Sequence, residues 1–94
     1  MIIIAGTLEV DAAARDRYLD AVADVSRTAR EFDGCHDFVQ AADPIEASRI
    51  NVYERWESDD HLHRFRNSGG IEAETPPIRA ADVRKYRIAG IEQP

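Results

Sequence analysis

The chain has 94 residues, with 12 basic against 18 acidic side chains and a formal net charge of −6, and it is 44% hydrophobic and 32% charged. That length fits one domain over residues 1–94. The acidic balance argues against nucleic acid, whose affinity comes mostly from phosphate neutralisation, and against an anionic membrane surface.

Met1–Ala5 is apolar but lacks the positive flank and the apolar run of about 7–15 residues that mark a secretory signal, and no later run approaches the roughly 20 residues of a membrane span. A cytoplasmic location is the expectation. Cys35 stands alone, so no internal disulfide is available and stability rests on the core. A chain this small buries only about 60–65% of its unfolded surface, which makes an oligomer interface a reasonable expectation. Lys85 is the single lysine among 12 basic residues, a bias that points weakly to a GC-rich bacterial genome.

In chain order, Met1 to Val10 is β-branched and nearly continuously apolar, which predicts a strand covered on both faces. Asp11 suits a helix N-cap, and Tyr18, Val22, Val25, Ala29 and Phe32 then recur at spacings of three and four. That stripe predicts one amphipathic helix, ended at Asp33–Gly34. Cys35–Gln40 reads as a short strand placing His36, Phe38 and Gln40 on one face, and Ala41–Pro44 reads as a turn. Ser48–Trp56 alternates cleanly, with Ile50, Val52, Glu54 and Trp56 on one face and Arg49, Asn51, Tyr53 and Arg55 on the other.

Ser58–Asp59–Asp60 opens a second helix with a hydroxyl cap and acidic residues at the positive end of the dipole. Gly69–Gly70 ends it and could hinge a lid. Residues 71–80 contain Thr75–Pro76–Pro77 and read as the loop most able to move. Asp82–Ile91 gives the last strand, with Arg84, Tyr86 and Ile88 on one face and Val83, Lys85, Arg87 and Ala89 on the other.

The order β-α-β-β-α-β predicts an α+β, ferredoxin-like fold: a four-stranded antiparallel sheet with two helices on one face. Two helices cover one sheet face only. The other, carrying Tyr53 and Val83, is expected to meet a second copy across a two-fold axis, giving a homodimer with a cavity between sheet and helices.

The chain resembles the antibiotic biosynthesis monooxygenase family over nearly all of Ile2 to Tyr86. The resemblance is carried by Ile4–Ala5–Gly6–Thr7–Leu8 with Val10, Phe32–Asp33–Gly34–Cys35, Asp43–Pro44, and above all Val52–Tyr53–Glu54–Arg55–Trp56–Glu57–Ser58 followed by Leu62. It implies a dimeric α+β barrel and oxidation of a small aromatic quinol or polyketide by dioxygen, with no flavin, haem or metal as cofactor. Such chemistry is open to an electron-rich phenol that, once deprotonated, passes an electron to dioxygen itself. The protein then supplies a dry aromatic slot, a proton acceptor and donors for the developing oxyanion. Val52 stands where active members often carry Asn, Phe65 and Gly70 where His is common, and Ala5–Thr7 where haem-degrading relatives have an Asn. The same scaffold therefore also suits a non-catalytic ligand-binding or stress-related protein.

The candidate residues follow. Trp56 can wall a flat substrate, or be the largest core side chain. Glu54, an inward carboxylate between Val52 and Trp56, must be hydrogen-bonded, paired with Arg84 or an arginine of the first helix, or raised in pKa. At about 100° per residue His61 sits about 70° from the apolar centre of its helix and His63 about 130° away, so His61 edges the cavity and His63 is solvated. His61 or Glu54 is the expected proton acceptor, Tyr86 or Asn67 the oxyanion donor, and Val52 and Phe65 complete the substrate lining. His61 and His63 diverge and cannot chelate a metal together. The lone Cys35, past a helix C-terminus, is a poor nucleophile.

Overall fold

The computed structural model describes residues 1–69 and 73–94. The elements are β1 (Ile2–Val10), α1 (Arg15–Glu31) after a short 3-10 turn at Ala12–Ala14, β2 (Cys35–Ala42), β3 (Arg49–Trp56), α2 (Asp59–Arg66) and β4 (Ile78–Arg87). The strands form one sheet in the order β2-β3-β1-β4, and every pairing is antiparallel. The expected ferredoxin-like α+β fold is the one found. No described helix is long and apolar enough to cross a membrane.

Local chemistry accounts for the helix limits. Asp11 Oδ1 accepts from the Ala13 N–H at 3.0 Å, and Ser58 Oγ accepts from the His61 N–H at 3.3 Å, each satisfying a donor that the first helical turn leaves open. At the other end of α1, Phe32 turns out of the helix with extended dihedrals (φ −77°, ψ 143°), and Gly34 takes φ +82°, a conformation costly for a residue with a Cβ.

The stripe of α1, namely Tyr18, Val22, Val25 and Ala29, is buried as the spacing predicts. It packs on the sheet in two groups. Leu8, Val10, Tyr18, Val22, Ile50 and Val52 fill one end; Ile2, Ile4, Val25, Ala29, Phe38, Trp56, Leu62 and Phe65 fill the other. Removing this apolar surface from water, at about 25 cal/mol per Å², is what holds helices to sheet.

β4 departs from expectation. It starts at Ile78 and ends at Arg87 rather than running from Asp82 to Ile91, so the last three residues of the expected 71–80 loop are strand. Ala80 and Ala81 have little strand propensity, but they lie opposite Glu9 and Leu8, and pairing with a long central strand overrides the local preference. Gly70 and residues 71–72 of that loop lie outside the described residues. The facing of β4 is also the reverse of that expected: Tyr86 is opposite Ile3 and Val83 opposite Gly6. Directly paired residues point the same way, so Val83 is on the helix side with Ile2 and Ile4, and Tyr86 is on the far side. Alternation says that neighbours diverge; it does not say which set turns inward when both are mixed in polarity.

At Gly6, opposite Val83, β1 leaves no room for a side chain beside β4. A Cβ added there would lie 1.9 Å from the Asp82 carbonyl oxygen, and its φ is +154°. Gly6→Ala is expected to pry the two strands apart and lower stability by about 2 kcal/mol or more, read as a drop in the urea midpoint.

Candidate functional site

The alternation of β3 puts Ile50, Val52, Glu54 and Trp56 against the helices, all buried. Trp56 is 0% exposed and sits in a nest of aromatic rings. Phe65 of α2 lies 5.2 Å away, centroid to centroid, tilted by 33°, and Phe32 lies edge-on at 6.5 Å. Phe32 and Phe38 both meet Phe65 edge to face, at 5.3 and 5.9 Å. Such offset and T-shaped pairs are the favoured aromatic arrangements. Helix spacing places Leu62 and Phe65 on one face, and the turn-out at Phe32 brings the third ring in from the end of α1.

Within this apolar nest lies one carboxylate. Glu54 Oε1 accepts from the Trp56 indole N–H at 2.9 Å, and Glu54 is the one buried charged residue among those described. Burial raises its pKa above the ordinary 4.5, with the indole hydrogen bond and the Arg66 charge pulling the other way. The expected partner Arg84 is not there. Its guanidinium donates to Asp82 Oδ1 at 3.1 Å, and Arg84 pairs across from Ala5 on the far side of the sheet. Cys35, at the start of β2 and opposite Trp56, is a second weak acid in the same region. Burial, then the charges of Glu54 and Asp37, push its thiol pKa up, which suits a neutral thiol and not a nucleophile.

His61 lies at the border of the nest. Its Nδ1 meets Ser58 Oγ at 2.7 Å and its Nε2 lies 3.7 Å from Asp33 Oδ2. The ring also rests on Gly34, where an added Cβ would come within 2.2 Å of His61 Cγ. Ser58 and Asp33 were not foreseen as partners; the Ser-x-x-His spacing of a reciprocal helix cap was the available signal. His63 is exposed. His36 leaves the face of Phe38: a register shift between Cys35 and Asp37 takes it out of the pairing, and its Nε2 lies 2.7 Å from Glu57 Oε2. Just past that shift, Asp37 Oδ1 accepts from the Phe38 N–H at 2.8 Å.

The structure thus brings Glu54, Trp56 and Phe65 together, with His61 at their edge. Val52 belongs to the other core group. Asn67 is exposed at the C-cap of α2, its N–H shared between the carbonyls of His63 and Phe65. Tyr86, 51% exposed, is on the opposite side of the sheet from Trp56 and does not join it. Phe32 and Phe38 were not foreseen as ring neighbours of Phe65. Among the described residues no group of His, Cys, Asp and Glu could hold a metal ion. Among the described residues, a surface cleft of about 340 Å³ lies beside Asp11 and Arg79 and another of about 210 Å³ beside Glu9 and Asp82; neither is lined by Trp56, Glu54 or His61.

Fold and site define a small ferredoxin-like α+β protein with a buried carboxylate in an aromatic nest. The sequence matches the model of the antibiotic biosynthesis monooxygenase family over residues 1–74, and the chain belongs to that family. No curated protein sequence matches it. Its fold is similar to that of a Deinococcus radiodurans protein assigned to the same monooxygenases, with a TM-score of 0.82 at 16% identity over 99% of this chain and 97% of that one. A Nitrosomonas europaea protein of the same assignment gives 0.78 at 10% identity, over 96% and 100%. The heme degrader MhuD from Mycobacterium tuberculosis, solved with two hemes in its active site, gives 0.71 at 16% identity, over 99% and 100%.

Proposed function

We propose that the protein oxidises a small electron-rich aromatic molecule, a quinol or anthrone-like polyketide, with dioxygen and without a flavin, haem or metal. The observation that carries this reading is the buried Glu54 carboxylate held by the Trp56 indole N–H at 2.9 Å. A carboxylate whose pKa is raised by burial is a better-matched acceptor for a phenolic proton than an ordinary one. The substrate ring enters by displacing the half-buried Phe32 and lies against Trp56 and Phe65. Glu54 takes its proton, with His61 the second candidate for that step. The anion passes one electron to dioxygen, and the radical pair combines to a hydroperoxide. Loss of water then leaves a carbonyl: a CH₂ and O₂ become C=O and H₂O, and the ring carbon supplies all the electrons. Asn67, two residues beyond Phe65, is the candidate donor to the oxyanion.

Haem is a poorer fit to these residues. An iron porphyrin needs an axial imidazole, thiolate or phenolate. The imidazole at the border of the nest, His61, is built into the start of its helix, with Nδ1 on Ser58 Oγ at 2.7 Å and its ring packed on Gly34.

Oxygen uptake in the presence of a panel of quinols and anthrones tests the reading, with uptake by the wild type above the protein-free rate expected. A non-catalytic ligand-binding role is favoured by one observation: the rings of Phe32 and Phe65 already lie against Trp56. Quenching of the single tryptophan by the same panel, with no oxygen uptake, would establish that alternative.

The far side of the sheet completes the proposal. Ile3, Ala5, Val39 and Tyr53 are only partly buried there, and Tyr86 is exposed. A second copy related by a two-fold axis would cover this side, and light scattering is expected to give twice the chain mass. Tyr53→Asp is expected to weaken the pair by about tenfold or more and shift it to the single-chain mass on dilution.

A further inference from the structure

We propose that the cleft between the first turn of α1 and the start of β4 binds a small organic anion, a carboxylate or phosphate monoester on a compact apolar body. The cleft is about 340 Å³ and is lined by Asp11, Ala13, Ala14, Arg17, Pro77 and Arg79, a volume at the lower end of small-molecule sites. Two guanidinium groups face it against one carboxylate, a local excess of positive charge in a chain of net charge −6. That carboxylate pairs with Arg79 alone, at long range, and leaves Arg17 without a counter-charge among the described residues. Asp11 Oδ1 is engaged by the Ala13 N–H at 3.0 Å, and Asp11 Oδ2 stands 3.8 Å from Arg79 Nη2, beyond hydrogen-bond distance. Arg17 forms no ion pair with any described residue.

Planar guanidinium forks match the two oxygens of a carboxylate or phosphate, while Ala13, Ala14 and Pro77 offer an apolar floor for the rest of the molecule. The second cleft supplies a contrast within the same protein. It is about 210 Å³ and is lined by Glu9, Glu46 and Asp82 with Arg49 alone as a cation, so an anion is repelled there.

The proposed site is separate from Glu54 and Trp56. β1 pairs with Trp56 at Ile2 and reaches Ile78 of β4 at Val10, so the cleft and the aromatic nest lie at opposite ends of that strand. Binding of an anion therefore does not depend on the proposed oxidation.

Amide chemical-shift titrations with phenyl phosphate and with benzoate, and benzyl alcohol as the uncharged control, test this. Saturable shifts centred on Ala13, Ala14 and Arg79 are expected from at least one anion and not from the alcohol, and the tighter anion identifies the headgroup. Arg17→Gln and Arg79→Gln are each expected to weaken binding by about tenfold. Arg17→Lys, which keeps the charge and loses the fork, is expected to weaken it less. Glu54→Gln is expected to leave it unchanged. Shifts that never saturate, that centre on Thr7 and Ala81, or that persist undiminished in both glutamine variants would overturn the proposal.

Discussion

Trp56→Ala is expected to cost about 3–5 kcal/mol of folding free energy, the largest loss of any single substitution considered. The indole is fully buried, and three neighbours lean on it: Phe65, Phe32 and, through the indole hydrogen bond, Glu54. Truncation removes the ring and leaves a cavity that the surrounding sheet and helix cannot close, because Ile2 and Cys35 are fixed opposite Trp56 by strand pairing. It also strands the Glu54 carboxylate without its donor, adding the penalty of an unsatisfied buried group. Small domains have only about 5–15 kcal/mol in total, so the variant loses a large share of it and its urea midpoint should fall sharply. Trp56→Phe keeps most of the packing and loses the donor, so the difference between the two variants separates volume from hydrogen bonding. Urea denaturation followed by circular dichroism reads both, and an unchanged midpoint for Trp56→Ala would contradict the packing described.

Glu54→Gln is expected to act in opposite directions on activity and on stability. Oxygen uptake should fall by about 100- to 10,000-fold, the usual loss when a general base is removed, since an amide cannot accept the phenolic proton. Stability should rise at neutral pH. Burial lifts the folded-state pKa of Glu54 above its ordinary 4.5, so the folded chain favours the protonated carboxyl. Its stabilising contribution is complete below the unfolded pKa and is lost as pH rises through the folded one. Glutamine cannot ionise and keeps the neutral-state contribution throughout.

Asp43, held to about pKa 2 chiefly by the Glu46 N–H, then by Asn51 and the Ile45 N–H, contributes with the opposite sign. Its stabilisation is present above its unfolded pKa of 3.8 and lost as pH falls toward 2. Asp59 behaves in the same way, its pKa depressed mainly by the hydrogen bonds of Arg87 and Lys85. Both are common to wild type and variant and cancel in the difference. The gap in urea midpoints between Glu54→Gln and wild type is therefore expected to widen in favour of the variant as pH rises above the ordinary 4.5, and to level off once pH has passed the raised folded-state pKa. A gap that stays constant would mean that Glu54 is not buried as described, and low uptake with normal stability effects would separate chemistry from folding.

The parts of this site that follow from periodicity were legible in the amino-acid order. Two-residue alternation placed Glu54 and Trp56 on one face of β3, and three-four spacing placed Tyr18, Val22, Val25 and Ala29 on the buried side of α1. What was not legible depends on register and volume. Tyr86 could face either way until β4 was paired with β1, because its strand carries mixed polarity on both sides. His36 was displaced by a register shift between Cys35 and Asp37, and such a step leaves no mark in the hydropathy. Phe32 completed the helical stripe on paper, yet it leaves the helix and turns its ring onto Trp56 and Phe65. Whether rings fill a space or leave it open is a property of three dimensions that spacing along a chain does not carry.

The two outer strands of the sheet have a consequence for behaviour at high concentration. β4 carries Arg79, Arg84, Lys85 and Arg87 along ten residues, and β2 is interrupted by its irregular step between Cys35 and Asp37. An outer strand with open amides is a template for endless lateral growth into fibrils, and cations or bulges are what prevent it. Copies of β4 stacked at about 4.8 Å would set like charges against one another, and the step between Cys35 and Asp37 shortens the regular part of β2 to Asp37–Ala42. Open-ended lateral stacking through either outer strand is thereby disfavoured.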